Sequence, residues 1–249
     1  MAENIKTMGI VLNSSPHNID GARRLLVFSP ERGLFSAVIR GVEKPKAKLA
    51  VASSPFCFGE FVLAEKSGRF TVIDCAVQDT FFEIAYNLDA YVLASAMLEI
   101  TSKIAQEGES NLELFKLLLT SLKVLVYEKA EPSVVLIKFM CECLNISGFG
   151  FDLKTCACCN KDMRVQVKVG LIYESSGVIC SNCCSKMQNI ALNQNEWKIL
   201  SSINLCDMNN LGELNFDMRE DLTSVLKMVV KQFYYRTNEK VNCLIKYFD

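Results

Sequence analysis

Apolar and polar residues alternate in short runs through the first part of the chain, and then the period changes. Ile5 to Leu12, Arg23 to Phe28, Leu34 to Ile39, Gly59 to Ala64 and Arg69 to Cys75 are rich in β-branched and aromatic residues. Each run has strand length, and turn-forming segments separate them: Ser14-Ser15-Pro16, Ser29-Pro30-Glu31-Arg32-Gly33 and Ser67-Gly68. Five such strands within residues 1–78 bury a core and hide their edges by closing on themselves. The pattern predicts a five-stranded barrel of the OB type. Strand count does not separate it from an SH3-like barrel.

From Asp79 the apolar spacing becomes three and four, the signature of helices with one buried face. The first helix is expected from Phe81 to Ile104, ended by Gly108. Ser110-Asn111-Leu112-Glu113 has the S-x-x-E form of a capping box and would open a second helix, to about Tyr127. Pro132 suits the first turn of a third, ending near Asn145. Beyond a cysteine-rich segment, Asn193-Gln194-Asn195-Glu196 starts another helix, with Trp197, Ile199, Leu200 and Ile203 as its apolar face. A last helix spans about Asp217 to Arg236. The tail, with Leu244, Ile245, Tyr247 and Phe248, is too apolar to stay in water and is expected to dock on the bundle.

The cysteines add the most specific chemistry. Cys156/Cys159 and Cys180/Cys183 form two C-x-x-C pairs separated by twenty residues, in a segment holding six of the chain's twelve cysteines. This is the spacing of a four-thiolate zinc site presented by two tight turns. Val165, Val167, Val169, Leu171, Ile172 and Tyr173 between the pairs, broken by Gly170 and Ser175-Ser176-Gly177, fit a short β-ribbon. About thirty residues cannot bury enough apolar surface to fold alone, so a metal crosslink is the expected source of order. A disulfide framework would need a secreted chain, and MAENIKTMGI carries no signal h-region. A redox C-x-x-C site would need only one pair, at a helix start after a strand. Cys158 and Cys184 lie beside the expected ligands, and keeping both pairs intact is the simplest register.

The predicted class is therefore α+β. An OB-type barrel occupies 1–78, a helical bundle is split between 79–153 and 188–249, and a four-cysteine zinc ribbon is inserted at 154–187. No apolar stretch is long enough to span a bilayer, and the reading is of a soluble cytoplasmic protein with reduced thiols.

Charge changes the picture only locally. Residues 1–78 hold ten Lys/Arg against seven Asp/Glu, and the whole chain nets −1. Within that excess, Arg40-Gly41-Val42-Glu43-Lys44-Pro45-Lys46-Ala47-Lys48 concentrates four cations against one carboxylate after the third strand. It reads as an exposed loop, either simply solvated or holding phosphates through Arg40, Lys44, Lys46 and Lys48, with Arg23 and Arg24 nearby. Phe35, Phe56, Phe58, Phe61 and Phe70 are close in sequence, and phenylalanines in a small barrel are usually core.

Enzyme machinery is not evident. His17 is the single histidine, which removes Ser-His-Asp and Cys-His arrangements. No phosphate-loop or dinucleotide fingerprint occurs, and the carboxylates are scattered. A site filled by four sulfurs has no open position for substrate. A binding protein is expected, with a protein-binding zinc-ribbon adaptor as the alternative to a DNA binder. A thiol–disulfide oxidoreductase using one cysteine pair is the rival from the enzyme class.

The chain resembles the RecO family of bacterial recombination mediators. IKTMGIVLNSS and RLLVFSPERGLFSAVIRGVEKPKAKLA resemble that family's first three strands and basic loop, and PFCFGEFVLAEKSGRFTVIDC its last two strands. EGESNLELFKLLLTSL is similar to its second helical region, GFGFDLKTCACCN to the entry of its zinc module, and KVNCLIKYFD to its usual ending. Two departures stand out. The family commonly has an Asp-Arg pair entering the second strand, where this chain has Asp20-Gly21-Ala22-Arg23-Arg24. The family's glycine after the first cysteine pair is replaced by Asn160, which also tolerates positive φ. Some members lack the cysteines, which implies a structural metal. The resemblance implies binding of single- and double-stranded DNA, annealing of complementary strands, and a complex with RecR. It further implies contact with single-stranded-DNA-binding protein and help in loading RecA.

Overall fold

The computed structural model describes residues 4–18, 21–42, 49–150, 152–163, 166, 169–173, 177–186, 189–216 and 219–247. Val165, Val167 and the Ser175-Ser176 turn lie outside these residues. The chain divides into two compact units, residues 1–88 with 97–119, and residues 89–96 with 120–249.

The first unit is built on five strands: β1 (Asn4–Pro16), β2 (Ala22–Ser29), β3 (Gly33–Arg40), β4 (Phe58–Lys66) and β5 (Arg69–Asp79). They close in the order β1-β2-β3-β5-β4, with β4 pairing back to β1. All ladders are antiparallel except β3–β5, where Ala37, Val38 and Ile39 pair in parallel with Phe70, Thr71 and Val72. That parallel pair gives the OB topology and resolves the SH3-like alternative. Alternation along the strands fills the interior: Val11, Leu25, Val27, Phe35, Ala37, Ile39, Phe61, Leu63 and Val72 form one buried cluster. Each large member contributes roughly 1.5–3 kcal/mol by burial. Ser67 and Gly68 both take left-handed φ (52° and 73°) in the two-residue β4–β5 turn, matching the twist of the flanking strands.

The expected first helix is interrupted at its start. A 3₁₀ turn covers Phe82–Tyr86, and α1 begins only at Leu88, running to Ile104. The break is at Phe81, whose ring is buried and whose backbone sits at φ 47°, ψ 38°, a conformation no helix can continue. The expected Ser110 capping box also gives way. α2 (Leu112–Tyr127) is capped by Asn111, whose side chain accepts the Leu114 N–H at 3.0 Å. The Ser110 hydroxyl instead donates to the Pro30 carbonyl at 2.7 Å. Phe115 on α2 packs its ring against Phe28 and Phe58 of the barrel, at centroid distances of 5.8 and 6.2 Å.

In the second unit α3 (Pro132–Ile146) is buried along most of its length and packs against α5 (Gln194–Leu205) and α6 (Arg219–Thr237). Pro132 stands in the first turn, as expected. Lys138 is buried on α3, where its ammonium pairs with Glu142 at 2.7 Å and donates to the Asn204 carbonyl at 2.9 Å. Those two partners compensate a charge that would be costly to bury alone. The expected cap of α5 is present: Asn193 accepts from the Glu196 N–H while Glu196 accepts from the Asn193 N–H. The tail docks through buried Val241 and Leu244, the latter in a 3₁₀ turn (Asn242–Tyr247) against α6; Ile245, expected to dock with them, is exposed, and Phe248 lies outside the described residues.

Between α3 and α5 lies a sheet larger than the expected ribbon. β6 (Asp152–Cys156), β7 (Val169–Ile172), β8 (Gly177–Cys180) and β9 (Ile190–Leu192) order as β6-β8-β7-β9, and α4 (Ser181–Cys184) is a single turn. The β7–β8 hairpin is the ribbon the sequence predicts. β6 and β9 extend it because the chain entering and leaving the insert pairs with both of its edges.

Candidate nucleic-acid face and metal centre

The register of β2, β3 and β5 decides which basic side chains share a face. Leu25, Val27, Phe35, Ala37, Ile39 and Val72 point inward, so Arg24, Val38, Arg40, Arg69 and Thr71 belong to the outer surface. Arg24 pairs with Val38, which pairs in turn with Thr71, forming one row across three strands. Arg40, opposite Ala22, lies one row on, diagonal to Arg24 and about 8 Å from it by strand spacing. Both arginines are exposed.

Arg23 belongs to the other face. At the barrel mouth its Nε donates to Ser14 Oγ at 2.7 Å and its terminal nitrogen to the Ser14 carbonyl at 2.9 Å. The cleft it lines also includes Val42, Ser53 and Pro55. Lys44, Lys46 and Lys48 lie outside the described residues. The chain on either side is anchored: Val42 is buried and its N–H donates to the Gly21 carbonyl at 3.2 Å, and Leu49 packs on the barrel core.

Sequence reasoning passed over two cations. Lys66 and Arg69 pair across the Ser67-Gly68 turn and are exposed. Arg69 stands on the same outer face as Arg24 and Arg40, one residue before the parallel pairing with β3 begins. The signal was present as Lys-Ser-Gly-Arg, two cations flanking a tight hairpin turn. Phe35, Phe56, Phe58 and Phe61 are buried, and half-buried Phe70 meets Phe35 edge-on at 5.6 Å, so the barrel phenylalanines are core.

In the second unit the two C-x-x-C pairs converge. The sulfurs of Cys156, Cys159, Cys180 and Cys183 all lie within 4.8 Å of one another. Cys156 ends β6, and the knuckle after it closes by two hydrogen bonds, Cys156 N–H to the Lys161 carbonyl (2.8 Å) and Asn160 N–H to the Cys156 carbonyl (2.9 Å). Asn160 takes φ 55°, the left-handed turn its side chain tolerates. Cys180 ends β8 at the N-cap of α4, which carries Cys183.

Tetrahedral metal–thiolate bonds of about 2.3 Å place sulfurs about 3.8 Å apart. Cys159 and Cys180 are 3.7 Å apart. Burial opposes ionisation of Cys156, yet the N–H groups of Cys180, Cys158 and Cys159 outweigh it and draw the thiol down to about 6. Burial, and then the neighbouring sulfurs, push Cys183 upward. Four thiolates this close are stable together only around a cation, and the donor set fits a metal that prefers sulfur. Cys184 stands apart from the four and donates to the Ile179 carbonyl at 3.6 Å; Cys158 is exposed and is not among them.

The fold defines a class: a chain with an OB barrel, a helical unit and a short sheet on which four cysteines converge. Residues 1–81 match the family model described as Recombination protein O N terminal, and residues 85–240 match Recombination protein O C terminal. The chain belongs to the recombination protein O (RecO) family. Among its relatives is a DNA repair protein RecO of Desulforamulus reducens, 26% identical over 212 residues, covering 84% of this chain and 82% of that protein. A DNA repair protein RecO of Clostridium kluyveri is 24% identical over 242 residues (96% and 92%), and one of Acetivibrio thermocellus is 26% identical over 238 residues (95% and 92%). No helix among the described residues is long and apolar enough to cross a membrane.

Proposed function

We propose that the chain is a DNA repair protein of the cytoplasm that mediates recombination by binding single- and double-stranded DNA and annealing complementary strands. With RecR it would help load RecA on DNA coated by single-stranded-DNA-binding protein. The observation that supports this reading is the outer barrel surface, where Arg24, Arg40 and Arg69 surround the row through Val38 and Thr71. In the sequence, the basic segment with Lys44, Lys46 and Lys48 begins four residues after Arg40. Cations on one face neutralise backbone phosphates without reading bases, so binding is independent of sequence. Holding two strands at once lowers their repulsion and favours pairing with no covalent step. Arg23, tied to Ser14, positions the mouth of the same barrel.

Cys156, Cys159, Cys180 and Cys183 would hold one structural zinc ion, which supplies a closed tetrahedral crosslink. We take 1–78 as the DNA-binding part, 79–153 and 188–249 as the helical scaffold, and 154–187 as the zinc module.

Each phosphate contact to a single strand contributes a salt slope of about −0.7. Replacing Lys44, Lys46 and Lys48 by alanine should flatten the plot of log K against log salt by about two units. An unchanged slope removes these lysines from the mechanism. No oligonucleotide binding at low salt by the intact chain would leave the protein-only adaptor as the better reading.

A further inference from the structure

Helix α6 carries a basic ridge that the barrel reading does not use. Arg219, Thr223, Lys227, Lys231 and Tyr235 follow one another at intervals of four residues. They cross the solvent side of α6 obliquely, opposite the buried Leu222, Val225, Leu226, Val229 and Phe233. The ridge rises about 24 Å, room for several nucleotides. Among the described residues, none of its three cations has a carboxylate partner. The neighbouring acids are mostly engaged elsewhere. Asp221 accepts from Asn193 and Asn195 at 2.9 and 3.1 Å, and Glu196 accepts from Ser224 and the Asn193 N–H. Among the described residues, Glu220 is the one acid that lines the open groove with Arg219, Thr223 and Lys227.

A second feature lies at the far end. Tyr235 is 52% exposed, yet its ring is held against Tyr173 of the cysteine-bearing insert, at a centroid distance of 6.1 Å and an interplanar angle of 27°. Tyr173 is fixed in turn, its carbonyl accepting from Gln232 Nε2 at 3.3 Å. A supported aromatic face at the end of a line of unpaired cations is the combination with which proteins hold single strands: charge for the backbone and a ring for a base.

We propose that this ridge is a second nucleic-acid track. Arg219, Lys227 and Lys231 take the backbone phosphates of a single strand, and a base stacks on the Tyr235–Tyr173 pair. The proposal rests on the reading of the chain as a strand-annealing protein. It gives that protein a hold on one strand that does not depend on the barrel's hold on the other.

The test uses the full chain and a labelled single-stranded DNA oligonucleotide. Substituting Arg219, Lys227 and Lys231 together by alanine should flatten the salt slope by about two units, at unchanged melting temperature, and slow annealing of complementary strands at least tenfold. Tyr235→Ala should weaken binding at least about fivefold, whereas Tyr235→Phe keeps the stack and the affinity. A triple variant with the wild-type slope and annealing rate overturns the track. Equal affinity of Tyr235→Ala and Tyr235→Phe overturns its stacking end. Arg24, Arg40 and Arg69 replaced together separate this proposal from the barrel reading. Unchanged affinity in that variant sinks the barrel face and supports the α6 track as the main site. Residual binding that disappears only when the α6 substitutions are added supports both.

Discussion

The barrel and the cysteine sheet solve the same problem, keeping short strands together, by different means. In the barrel every strand has two neighbours, and the ladder closes on itself around Phe61, Leu63, Leu25 and Ile39, each fully buried. The four strands of the insert are three to five residues long and form an open sheet. Its buried side chains, Leu171, Val178 and Ile179 among them, are too few to order it alone. Four sulfurs converge within 4.8 Å, where the proposed metal would supply the missing constraint. The barrel should therefore answer to changes of volume, and the insert to changes of ligand.

The largest effect is expected from Cys156→Ser. Losing one of four thiolates should abolish tight metal binding, because structural zinc sites contribute about 10–16 kcal/mol to small domains of this kind. Metal content measured by mass spectrometry should fall to background, and amides of β7 and β8 should lose exchange protection while those of β2 and β3 keep theirs. Stoichiometric metal in this variant would mean that Cys158 or Cys184 can complete the site. Loss of barrel protection would mean that the two regions are not independently stabilised.

Phe61→Ala reverses the test. The ring sits at the centre of the barrel, and its removal should cost about 3–5 kcal/mol. The melting temperature should drop while metal content stays at one ion per chain. A fall in both would remove the distinction. Replacing Arg24, Arg40 and Arg69 by alanine should do neither. These are exposed residues, and their removal should shift stability by no more than about 0.5 kcal/mol. The salt slope of DNA binding should nevertheless flatten by about two units.

What could be read from the sequence follows the same division. The cysteine pairs were legible because the spacing of metal ligands is local, and so was the Asn193–Glu196 cap, which needs four consecutive residues. Strand positions in the barrel followed from alternation alone. The parallel pairing of β3 with β5 did not, since it joins residues thirty-three apart with no local mark. Arg69 was missed for that reason: only the register shows that it shares a face with Arg24. Ser110 was misread because its hydroxyl finds a partner eighty residues away, at Pro30, while Asn111 takes over the local task. Phe81 breaks the first helix through a buried contact, and burial of a single ring is not visible in a period.

The finest test of the comparison uses two residues with the same backbone problem. Asn160 in the cysteine knuckle and Ser67 in the barrel hairpin sit at φ 55° and 52°, where a side chain other than Asn or Asp is strained. Asn160→Ala should cost about 1 kcal/mol, and Asn160→Gly close to nothing. With a metal bound at the proposed centre, the cost should appear as about fivefold weaker retention of metal against a competing chelator, with little change in the temperature at which the barrel melts. Ser67→Asn places a residue suited to the left-handed turn and should stabilise the barrel by a few tenths of a kcal/mol, visible in melting and silent in chelator competition. If Asn160→Ala lowered the melting temperature as much as it weakened metal retention, the knuckle would be part of the cooperative core. The sulfurs would then be a secondary support for that sheet.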